Sequence, residues 1–178
     1  IIALHTMLKI YNQYQEYGVE GYYKHHSSTY FNPHQEKIII LYKKHIESHI
    51  PRNGIILDIA CGDGLIEKII KNNNINMNIS INIEGTDPFF KNKYCKYNFS
   101  FEDIALGKLE KEYDLITCCY AFHLIDDKWK YNFLSQLARM TKKFIIISPS
   151  KKITINNSLW KITNTAQPEQ LWQTGSNS

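Results

Sequence analysis

Residues 55–65 read IILDIACGDGL, an apolar run that ends in an acid and breaks into two glycines flanking Asp63. A continuous apolar run of this kind marks a strand buried on both faces, as in a parallel sheet. The glycines let the backbone turn sharply and let a ligand approach its N–H groups, with the positive end of the following helix behind them. Pro51 and Gly54 release the run from the helix before it, and LIEKIIKN after the glycines returns to helical period. The unit is strand, tight turn, helix.

The alternation then repeats. NISINIEGT (78–86) reads as a second strand, YNFSFEDI holds a short third, YDLITCCYAF a fourth, KWKYNFLSQLARMT a helix, and KFIIISPS a fifth strand. Strands alternating with helices predict an open α/β sheet, mostly parallel, with right-handed crossovers. Two further helices are expected ahead of the first strand, over residues 1–16 and 34–49. After Ser150 the pattern fades: KKITINNSLWKI suits one more strand, and the polar NTAQPEQLWQTGSNS a loosely held tail. One domain over 1–178 is expected, with N-terminal helices and a lid in 1–50, a ligand-binding core in 54–150, and a poorly defined C-terminal segment in 151–178.

Composition narrows the class. With 43% hydrophobic and 13% aromatic residues, 178 residues can bury a single core. The net charge of +4 comes from lysines and arginines scattered along the chain, so no nucleic-acid or acidic-membrane signal stands out. Four cysteines at 61, 95, 118 and 119 have neither zinc-site spacing nor the density of a secreted scaffold, which points to reduced thiols in an intracellular, cytoplasmic setting. IIALHTML at the N-terminus is too short and interrupted for a membrane span. The first residue is Ile, not Met, which leaves room for residues upstream.

Three ligand classes use a glycine turn at the end of a first strand. A dinucleotide fingerprint needs a third glycine where Glu67 stands, and a Walker loop needs a Lys that does not follow. The remaining pattern, Asp58 followed by Ala60-Cys61-Gly62-x-Gly64, resembles motif I of the class I S-adenosylmethionine-dependent methyltransferases. That resemblance implies a Rossmann-like three-layer sandwich. It also implies glycines close to the methionine and ribose portion of S-adenosyl-L-methionine, and an acid serving its amino group.

The rest of the chain extends the likeness over residues 54–150. Asp87, in IEGTDPF, stands 25 residues after Gly62, where an acid accepts ribose hydroxyls, with Pro88 beside it. The same Asp-Pro step is also a good turn sequence. SFEDIA holds the acid that the resemblance sets against adenine; Asp103 is preferred over Glu102, with Ile104 as its apolar neighbour, although Asp103 also suits a helix N-cap. YDLITCCYAFHLID resembles motif IV, which sets Cys118, Cys119 and Tyr120 beside the transferable methyl. A closer resemblance is to a little-described group of small methyltransferase-like proteins, through YFNPH (30–34), YAFHLID (120–126) and SPSKK (148–152), with Ser150 in place of the group's His.

Methyl transfer from a sulfonium mainly requires alignment and exclusion of water. Catalytic candidates are Tyr120, His123, Tyr23 and His34, with His123 also readable as a core histidine. GYYKHHSSTYFNPH, dense in tyrosine and histidine, reads as a lid whose Tyr22, Tyr23, Tyr30 or His34 line the pocket. His25, His26 and His34 lack a completing acid or cysteine, so no metal is expected. CCYA stands where an amide-methylating N-P-P-[YF] would be, and a small-molecule acceptor is expected. The alternative is a catalytically silent module that binds S-adenosylmethionine or a partner, favoured if the sheet lacks its closing C-terminal hairpin and leaves an edge to be covered.

Overall fold

The computed structural model describes residues 12, 15–18, 21–23, 32, 34–74, 80–148, 153, 155–165 and 172–177. The first apolar run is β1, Asn53–Ile59, and its last four residues are all buried. It is buried on both sides because it lies inside a sheet. It pairs in parallel with β2 (Ser80–Thr86) on one side and β4 (Leu115–Cys119) on the other.

The sheet continues through β3 (Cys95–Tyr97) beyond β2 and through β5 (Lys143–Ile147) beyond β4. β6 (Trp160–Thr165) and β7 (Trp172–Asn177) complete it, giving the order β3-β2-β1-β4-β5-β7-β6. The C-terminal segment is therefore not a loose tail: β7 pairs antiparallel with β5 and β6 closes the hairpin. Trp160 anchors that hairpin, buried against Phe144 at 5.9 Å between ring centroids and donating its indole N–H to the Leu134 carbonyl at 2.8 Å. The edge that a silent module would offer to a partner is covered by the chain itself.

Side chains alternate across the strands, which divides the core in two. On one face Leu57, Ile59, Ile116, Phe144 and Ile146 pack under α3 (Phe101–Ala105) and α4 (Asp127–Met140). On the other Ile56, Leu115, Ile145 and Ile147 pack under α1 (Gln35–Leu41) and α2 (Leu65–Asn74). α1 runs on into a π-helical turn, Tyr42–Ile46, and a 3₁₀ turn, Glu47–His49, so the expected single helix over 34–49 has three pitches. Of the helix expected over residues 1–16, only residues 12, 15 and 16 are described, and they are helical.

Two differences from the expected boundaries bear on the site. The third strand ends at Tyr97, because Ser100 caps α3 and turns the chain out of the sheet. The fourth ends at Cys119, before Tyr120 turns left-handed with φ +57°.

Candidate functional site

In an open α/β sheet the ligand crevice lies beyond the carboxyl ends of the strands, where strand order reverses. Here the reversal falls between β1 and β4, and a cavity of about 360 Å³ opens there. Its walls come from the ends of β1 and β4 and from the loops after β2 and β3.

The turn after β1 is held by an alternation of left-handed residues: Ala60 at φ +56°, Gly62 at +53° and Gly64 at +80°. Ala60, Cys61 and Gly62 line the cavity. No atom of the described residues lies within 4 Å of where a Gly62 Cβ would sit, so that side of the loop is open to a ligand. Gly64 serves packing instead: a Cβ there would meet the Tyr94 ring at 2.2 Å, and the residue does not line the cavity.

Two buried acids form the floor. Asp58 is 3% exposed and accepts the Thr117 hydroxyl at 2.8 Å. Burial pushes its carboxyl up to about 7, and the charges of Asp87, Glu67 and Asp63 add to the Thr117-opposed rise. Asp87 accepts three backbone N–H groups, from Gly62 at 3.1 Å, Phe89 at 2.9 Å and Phe90 at 3.2 Å. Burial still holds its pKa above the ordinary carboxylate value against those bonds. A carboxylate has about four acceptor positions. The turn-capping role is thus realised, and a bidentate grip on a ribose requires Asp87 to release at least one of these bonds. Pro88 lines the cavity beside it.

At the third strand the expected residues are corrected. Asp103 belongs to a capping box: its backbone N–H donates to Ser100 Oγ at 3.1 Å, and its carboxylate accepts the Ser100 N–H at 3.0 Å. Its other oxygen takes Lys108 Nζ at 2.6 Å, and Lys108 first, then the Ser100 bonds, hold its pKa below the usual range. Ile104 is fully buried in the core. Because α3 starts at Phe101, it is Phe99, Phe101 and Glu102 that face the cavity.

Strand alternation also separates the two thiols of β4: Cys118 points into the core, whereas Cys119 lines the cavity. Burial pushes both thiols up, so both stay protonated. Tyr120 lines the cavity too, and burial raises its phenol to about 12, which makes it a donor at neutral pH. The His34 ring stacks on Tyr120 at 4.5 Å between centroids, just outside the lining. Burial, then Lys37 and His123, lower the His34 pKa. His123 is neither in the core nor in the cavity: Phe122 takes the inward position of the 3₁₀ turn Phe122–Leu124, and His123 is exposed.

The segment before α1 does reach the site. Tyr23 lines the cavity and stacks on Phe89 at 5.5 Å with its ring 14° from parallel, and Asn32 lines it as well. Tyr22 is buried beside Tyr23 and does not line it. Tyr30, His25, His26 and residues 149–152 of the SPSKK run lie outside the described residues. Among the described residues no group of three His, Cys, Asp or Glu side chains is placed to hold a metal, and no helix is long and apolar enough to cross a membrane.

Two acids missed in the sequence complete the lining: Asp63 and Asp126 join Asp58, Asp87 and Glu102, while no Lys, Arg or His among the described residues faces the cavity. An acidic, aromatic-walled cleft in a chain of net charge +4 disfavours phosphate ligands and favours a cation.

No protein-family model matches the sequence, and no curated protein matches it significantly. Solved structures do. Magnesium protoporphyrin IX methyltransferase from Synechocystis with bound SAM superposes with a TM-score of 0.53 at 12% identity, covering 82% of this chain and 80% of that one. The DhpI–SAH complex gives 0.53 at 11% identity over 88% and 76%. A SAM-dependent methyltransferase from Archaeoglobus fulgidus gives 0.50 at 18% identity over 65% of this chain and about half, 53%, of its own. The chain has the class I methyltransferase fold. The strand order, with β7 between β5 and β6, and the crevice beside the Gly62 turn are the features of that fold which position the site.

Proposed function

We propose that this chain is an S-adenosyl-L-methionine-dependent methyltransferase acting on a small-molecule acceptor. The observation that carries the reading is the charge of the cleft: five acids, two of them buried without a cationic partner among the hydrogen bonds to their carboxylates, around an open glycine turn. S-adenosylmethionine supplies an electrophilic methyl on a sulfonium, and its sulfonium and ammonium charges suit that lining. Similar structures solved with SAM or SAH support the same cofactor.

Asp58 and the open face of Gly62 hold the amino-acid end, Asp87 the ribose, and Phe99, Phe101 and Glu102 the base. Tyr120, as a protonated phenol stacked on His34, and Tyr23, stacked on Phe89, close the acceptor side and exclude water. The silent-module alternative loses its footing with the edge that β7 covers.

Titration calorimetry with S-adenosylmethionine, its demethylated product and NAD on the full chain tests the reading, followed by methyl turnover against a small-molecule panel. One-site binding of the first two and none of NAD is expected. A folded protein that binds neither sulfur nucleoside sinks the proposal.

A further inference from the structure

Cys61 and Cys95 are 34 residues apart in sequence, yet their Sγ atoms lie 3.0 Å from each other under the cofactor turn. Three features make this meeting a built one. Gly85 of β2 leaves the space for it, since a Cβ there would strike Cys61 Sγ at 2.6 Å and the Tyr94 carbonyl at 2.3 Å. The Cys61 backbone N–H is tied to the Thr86 carbonyl at 3.2 Å, and the Cys95 N–H to the Asn92 carbonyl at 3.1 Å. Both thiols also converge on the Gly62 carbonyl, which accepts Cys95 Sγ at 3.5 Å and Asn92 Nδ2 at 3.0 Å.

We propose that Cys61 and Cys95 form a redox-active dithiol, a modification site whose oxidation to a disulfide by a peroxide shuts the cofactor turn. The effect on the cofactor rests on the function proposed above; the dithiol itself does not.

A proton shared between the two sulfurs holds the Cys95 pKa below its usual value and pushes that of Cys61 up. Cys95 is also the half-buried thiol of the two, so it is the one a peroxide reaches. Its thiolate attacks a peroxide oxygen; the S–O bond forms, the O–O bond breaks, and hydroxide leaves as water after taking a proton. Cys61 sulfur then attacks the sulfenic sulfur: the S–S bond forms, the S–O bond breaks, and a second water departs with the Cys61 proton. Two thiols lose two electrons and one peroxide gains them.

Disulfide formation takes the Cys95 S–H donor away from the Gly62 carbonyl and ties Cys61, which lines the cavity, to β3. Cys61 lies between the left-handed Ala60 and Gly62, so the tether fixes the turn at the residue that the cofactor face is built around.

The experiment treats the full chain with hydrogen peroxide, alkylates the remaining thiols, and maps peptides by mass spectrometry, with and without dithiothreitol. A Cys61–Cys95 cross-link, two hydrogens lighter and reversed by dithiothreitol, is expected, with S-adenosylmethionine affinity about tenfold weaker in the oxidised form. By linkage, saturating cofactor shifts the dithiol–disulfide equilibrium in a glutathione buffer by the same factor, or about 30 mV. Cys95→Ser, with Cys95→Ala as a second variant, keeps its affinity after peroxide. Separate alkylation of Cys61 and Cys95 after oxidation overturns the proposal, as does an equal loss of affinity in the Cys95 variants. The cross-link is read without cofactor, so it decides the dithiol even where reduced protein binds no S-adenosylmethionine, a result that overturns the functional reading alone.

Discussion

Two buried carboxylate sites lie on neighbouring residues of the same sheet, since Glu84 is in register with Leu57 and Asp58 with Gly85. Glu84, 2% exposed, is surrounded: Lys96 at 2.5 Å, Lys111 at 2.8 Å, and the hydroxyls of Tyr97 and Tyr113 at 3.0 Å each. Burial alone would raise its pKa, and those partners overcome it and take it to about 2. Asp58, equally buried, has one neutral hydroxyl and acids for neighbours, and its pKa moves the opposite way. A buried carboxylate with its cations present is architecture, whereas one with no cationic partner among the described residues is prepared for a cation from outside.

The largest effect should come from breaking the completed site. Glu84→Gln removes the charge while two lysines and two phenols stay around it, and is expected to cost about 3 kcal/mol in denaturant unfolding at pH 7. Because the folded pKa is depressed, wild-type stability from this group is whole above the unfolded carboxylate range and fades as pH falls toward 2. A cost under about 1 kcal/mol would make Glu84 no different from a surface ion pair and remove the contrast.

Asp87 lies between the two cases, because its partners are backbone N–H groups in place of cations. Read only as a ribose acceptor, it should be dispensable for stability without ligand. Bonded to Gly62, Phe89 and Phe90, it is not: Asp87→Ala is expected to cost about 2 kcal/mol in the ligand-free chain by leaving part-buried donors unsatisfied. Unfolding that matches wild type would show those bonds to be idle and return Asp87 to a purely ligand-facing role.

How much of this was legible follows from range. The β1 turn was readable because burial, glycine and the following helical period are all local to residues 55–72. Glu102 was passed over for Asp103 because one residue of helix phase decides which acid faces the cleft, and the Ser100 cap sets that phase. Nothing in WQTGSN announced β7, whose place comes from backbone pairing with β5. His123 was placed wrongly because the 3₁₀ turn gives the inward position to Phe122. The acidity of the cleft and the meeting of Cys61 with Cys95 were invisible for one reason: their members come from separate loops that only the sheet brings together.

The smallest effect tests Asp58 directly. With Asp58 titrating at about 7 in the folded chain and near 4 unfolded, the unfolded state ionises first as pH rises. Ligand-free stability from this group therefore declines between those values and is level above the folded pKa. Binding a cation runs the other way, since it needs the carboxylate. Affinity for S-adenosylmethionine should rise roughly fivefold to tenfold from pH 6 to pH 7.5, with proton release visible in calorimetry across buffers of different ionisation enthalpy. Asp58→Asn should bind weakly at both pH values and release no proton. A wild-type profile that is flat over this interval, or an equal slope in the Asn variant, would assign the titration to another group. Asp58 would then share with Glu84 a charge state settled by folding alone.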